Sequence, residues 1–70
     1  MKPEWRKEST YVLWHDNKPT GIELHAEFGS GWFFMVDVNT DPNISLADAM
    51  PLKQAKQAAV YRAKKLGRIP

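Results

Sequence analysis

The sequence predicts an α+β domain: an antiparallel β-meander of three strands, or four, with one C-terminal α-helix packed on one face. Three observations carry this. Ile22, Leu24, Ala26 and Phe28 alternate with Glu23, His25 and Glu27, the period-two signature of a half-buried strand. Gly29-Ser30-Gly31 separates that run from the apolar stretch Trp32-Phe33-Phe34-Met35-Val36, and its two glycines permit the positive φ of a hairpin loop. Leu52, Ala55, Ala59, Ala63 and Leu66 then recur at helical spacing, with Val60 at the edge of the stripe.

Taken in order, residues 1–9 are polar apart from Trp5 and read as an N-terminal arm. Residues 10–49 form the meander. Its first strand runs from Thr10 to His15, and Asp16–Thr20 is a turn, because Pro19 lacks the donor that a central strand position needs. Two registers of this first hairpin stay open. One sets Val12 and Trp14 beside Ile22 and Leu24; the other turns Tyr11, Leu13 and His15 inward. In the second hairpin a three-residue loop pairs Phe28 with Trp32, Ala26 with Phe34, Leu24 with Val36 and Ile22 with Val38. Each of these pairs is apolar, whereas a slip by one residue would bury Asp37.

Asn39–Asn43 is a turn cluster. Residues 44–49 form either a fourth strand or, from the Ser45–Asp48 capping-box pattern, the start of a helix. Pro51 favours starting the helix at 51, since proline is tolerated in the first turn and disruptive beyond it. Gly67 and Pro70 stop it near 66.

Seventy residues form one small domain, spanning 1–70, whose core alone gives roughly 3–5 kcal/mol. With no cysteine there is no disulfide staple, so self-association is a route to added stability. No apolar run suggests a signal peptide or membrane span, and a cytoplasmic protein is expected. The net charge of +2 is segregated: residues 1–50 carry four Lys/Arg against eight Asp/Glu, and residues 51–70 carry six Lys/Arg and no acid.

Two surfaces emerge as candidate sites. The register above sends Phe33 and Met35 outward beside Trp14, an apolar patch suited to a homodimer. On the helix, Lys53, Gln57, Tyr61, Lys64, Lys65 and Arg68 face away from the alanine stripe and suit an acidic protein or a phosphate backbone. Glu23, Asp37 and His25 share the outer face but lack metal-motif spacing, so no metal site or cofactor is predicted. There is no nucleophile elbow and no phosphate-binding glycine loop, so no catalytic residue is assigned and no enzyme is expected. The expected function is a small interaction module, homodimeric through the outer sheet face, that binds a macromolecular partner. The alternative is nucleic-acid binding through the basic helix.

In predicted topology, three strands plus a helix, the chain resembles the small DNA-binding domains at the N-termini of some phage integrases and in plant AP2 factors. That resemblance implies docking of the exposed sheet face into a major groove. Here the face would carry Glu23, Glu27 and Asp37, which repel phosphates, so any binding falls to Lys53, Lys56, Arg62, Lys64, Lys65 and Arg68.

Overall fold

The structure is a computed structural model that describes residues 3–27, 29, 31–40 and 44–70, with residues 44–47 described in backbone alone. It has a five-stranded antiparallel sheet in the order β1-β2-β3-β4-β5, a plain meander, followed by a helix packed on one face. The strands are β1 (Glu4–Lys7), β2 (Tyr11–His15), β3 (Lys18–Ala26), β4 (Trp32–Asp37) and β5 (Ile44–Pro51); the helix α1 is Leu52–Lys65. The predicted class therefore holds, with two more strands than three. Residues 4–7 are an edge strand paired with β2, not an arm, and residues 44–51 are a strand, which removes the capping-box start.

The first hairpin turns on two residues only. Asp16 and Asn17 take φ values of 54° and 62°, the left-handed pair that matches the twist of the flanking strands. Pro19 thus lies in β3, opposite Trp14. It is tolerated there because the pairing of β3 with β4 extends only as far as Ile22, so no neighbour on that side needs its missing donor. Three residues of β3, Thr20 to Ile22, stand opposite the single Leu13. Gly21, at φ 88°, absorbs this bulge. The Thr20 hydroxyl donates to the Leu13 carbonyl at 2.9 Å, satisfying an acceptor at the interruption of the ladder. Tyr11 and Leu13 therefore face inward, the second of the two registers left open, although the loop is shorter than either assumed.

The second hairpin overturns an expectation. Ile22 pairs with Asp37, Leu24 with Met35 and Ala26 with Phe33, one residue away from the predicted register. The Glu27 N–H donates to the Trp32 carbonyl, so four residues lie inside the last pair of the hairpin instead of three. One added loop residue reverses the parity of all β4 side chains. Phe28, whose pairing with Trp32 was predicted, lies outside the described residues, as do Ser30 and the 41–43 part of the predicted turn.

The core lies between the inner face and α1. It comprises Leu13, Ile22, Leu24, Met35, Ala55, Ala59, Ala63 and Ile69, with Trp5, Tyr11, Phe33, Met50, Leu52 and Val60 packed against it. Trp5 is on this inner side and does not fold across the outer face. Ala55, Ala59 and Ala63 are fully buried, which lets the helix approach the strands closely. Pro51 precedes the helix with extended ψ and Gly67, at φ 76°, ends it. The Gly67 N–H bonds to the Lys64 carbonyl and the Arg68 N–H to the Ala63 carbonyl, a Schellman closure that turns Ile69 into the core.

Candidate interaction surfaces

Reversed parity redraws the outer face. On β4 it now presents Trp32, Phe34 and Val36, while Phe33 and Met35 point to the helix; Met35 is 2% exposed. The predicted self-association set of Trp14, Phe33 and Met35 is therefore corrected: Trp14 alone belongs to the outer face. Asp37 also leaves that face, so Glu23, His25 and Asp37 cannot converge on one metal ion, and Glu23 faces Val36 instead of a like charge.

The outer face is held together locally. The Arg6 guanidinium carbon lies 3.8 Å from the centroid of the Trp14 ring, and Arg6 Nη2 reaches Glu4 Oε1 at 2.9 Å. Arg6 can stack there because Arg6 and Val12 are register partners, with Glu4 opposite Trp14. Trp14 Nε1 is enclosed without a hydrogen-bond partner among the described residues, so this residue offers its ring and not its donor. Further along, His25 Nε2 lies 3.0 Å from Glu23 Oε1, and the Thr10 hydroxyl meets the same oxygen at 3.3 Å. The His25 ring also sits 5.6 Å from that of Phe34, tilted by 36°. Val12 and Val36 stand on either side of Glu23 in the register and are buried, and Trp32 is about half exposed. On the same face Glu4 is thus paired with Arg6, and Glu23 is held by hydrogen bonds with Thr10 and His25.

The inner edge holds the one deeply buried charge among the described residues. Asp37 accepts two bonds from Arg68, each 2.8 Å, and a third from the Asn39 N–H at 3.0 Å. Arg68 Nη1 also donates to the Thr20 carbonyl at 3.1 Å. The Arg68 hydrogen bonds hold the Asp37 carboxyl below its ordinary pKa, helped by the Asn39 N–H and the Arg68 charge and opposed by burial. Arg68, predicted on the partner-binding face, is instead a structural tie from beyond the helix to the sheet. Nothing in the sequence marks this pair, whose members are 31 residues apart.

The remaining predicted helix residues, Lys53, Gln57, Tyr61, Lys64 and Lys65, all lie on the exposed side, together with Gln54. Tyr61 is 61% exposed, with the Lys65 ammonium 5.2 Å from its ring centroid. Lys56 turns toward Tyr11 and Trp5, its Nζ 5.0 and 6.0 Å from their rings. Among the described residues, no helix is long and apolar enough to cross a membrane. No protein-family model, curated protein or solved structure matches this chain.

Proposed function

We propose that this domain is a non-enzymatic interaction module that associates with a second copy of itself through the outer sheet face. The observation that carries the reading is the contrast between composition and cover. The helix packs on one side of the sheet only, and the other side presents Trp14, Phe34 and Trp32 around Val12 and Val36. Aromatic side chains beside an arginine are the usual anchors of protein interfaces.

A second copy suits this face for two reasons. Two of its carboxylates are already engaged on their own face, Glu4 by the Arg6 guanidinium and Glu23 by hydrogen bonds with Thr10 and His25, so they do not meet a second copy as bare charges. The domain also has reason to bury more surface: among the described residues, three of the eight in the core cluster are alanines, and such a core leaves a chain of this size marginally stable. A stable pairing buries about 800 Å² per partner, and the half-exposed Trp32 with the partly exposed rings of Trp14 and Phe34 is where that contact would centre.

Light scattering and sedimentation velocity over a dilution series test the reading. The expected result is a concentration-dependent dimer that a Trp14→Ala/Phe34→Ala variant converts to monomer with an unchanged circular dichroism spectrum. A wild-type protein that remains monomeric at the highest concentration, or a variant that dimerises equally well, defeats it.

A further inference from the structure

Helix α1 carries a cationic face that the sheet-face reading does not use. We infer that this face binds the phosphate backbone of nucleic acid, without base specificity, through Lys53, Lys64 and Lys65 with Tyr61, Gln54 and Gln57 between them.

Two of the six cations in residues 51–70 serve the domain itself. Arg68 is tied to Asp37 and Thr20, and Lys56 lies against Tyr11 and Trp5. Of the other four, Arg62 is half-buried, and Lys53, Lys64 and Lys65 are exposed on the side opposite the buried alanines. Helix stability accounts for part of this set. Lys64 and Lys65 occupy the last turn, where positive charge complements the helix dipole. Lys53 does the reverse. It stands in the first turn, at the positive end of that dipole, and no acid in that turn offsets it. A cation kept where the helix disfavours it, on a face with no carboxylate of its own, indicates an anion supplied from outside.

Tyr61 points the same way. A residue at this position meets no core, yet it is an aromatic ring with most of its surface in water and the Lys65 ammonium beside it. Its hydroxyl and the amides of Gln54 and Gln57 are neutral donors of the kind that phosphate oxygens accept. The spacing favours a nucleic acid over a folded acidic protein. Lys53 and Lys64 are eleven positions apart, about 16 Å along the axis. A duplex presents a charge about every 1.7 Å, so such widely spaced cations meet a phosphate in any register. An acidic protein would have to place its carboxylates at matched points.

Fluorescence anisotropy with a labelled random-sequence DNA duplex, across a salt series, tests the inference. Three phosphate contacts give a log–log salt slope of about −3, so a fourfold rise in salt weakens binding roughly 40-fold. A folded Lys53→Glu/Lys64→Glu/Lys65→Glu variant is expected to lose binding, and Tyr61→Ala to weaken it several-fold while leaving the slope in place. Absence of binding at low salt overturns the inference, as does equal binding by the triple variant. Equal or tighter binding to polyglutamate or to anionic lipid vesicles overturns nucleic acid as the partner. Should the triple variant fail to fold, Tyr61→Ala together with the salt slope decides the matter.

Discussion

The two faces of the sheet are alike in chemistry and unlike in what covers them. The inner face has Tyr11, Leu13, Ile22, Leu24, Phe33 and Met35 under an alanine-lined helix. The outer face has Val12, Trp14, Trp32, Phe34 and Val36, with Arg6 and His25 lying against its rings. Either set of β4 residues is apolar enough to form a core. Hydrophobicity alone therefore does not decide which face receives the helix. Two local facts do: a fourth residue in the β3–β4 loop, and the Arg68 guanidinium waiting for Asp37 on the inner side.

The comparison breaks most visibly in single truncations on either side. Leu24→Ala opens a cavity beneath the helix and should cost about 2–5 kcal/mol. Phe34→Ala, on the other face, should cost the monomer only about 1 kcal/mol while abolishing self-association. Urea unfolding of the two variants checks the contrast at a concentration where wild type is monomeric.

Next in size is the ion pair. Arg68→Ala leaves a buried carboxylate without its partner and should cost about 3 kcal/mol. An Asp37→Leu/Arg68→Met double variant replaces both charges with apolar groups and should recover most of that loss. A cysteine pair reports the register: Leu24→Cys/Met35→Cys should crosslink in the wild-type background. In the Arg68→Ala background, Leu24→Cys/Val36→Cys should gain at its expense.

The smallest effect is a pH limb. The folded pKa of Asp37 lies below its ordinary value of 3.8. Its contribution to stability is therefore complete above that ordinary value and is lost as pH falls through the lower folded value. Urea midpoints should be level from neutral pH down to the carboxylate range and then drop. In Asp37→Asn the drop should be shallower.

Much of the architecture was legible in the residues. Alternation along 22–26, the glycine loop and the alanine stripe were enough for a meander under one helix, because each is a periodic signal that local geometry enforces. The short edge strand β1 was hidden by charge: in Glu-Trp-Arg-Lys only Trp5 reaches the core. Pro19 misled in the opposite direction, since a proline reads as a breaker until the neighbouring strand is known to stop short of it. Register is harder to read. The run from Trp32 to Val36 has no polar residue to mark its outer side, so its parity depends on the length of the loop before it. Burying Asp37 looked prohibitive because its partner lies far along the chain. The helix face was easier, since spacing alone sorts Lys53, Gln57, Tyr61, Lys64 and Lys65, although spacing could not see that Arg68 bends back.

Arg68 also has a bearing on how the protein is made. During synthesis the residues of the second hairpin emerge well before residue 68, so the nascent strands must align while their arbiter is still missing. An all-apolar alignment is open to them at that stage. A hairpin still unsettled at that stage, or one able to re-pair, reaches the final register once the guanidinium arrives, which makes Arg68 a proofreader of pairing begun 31 residues earlier.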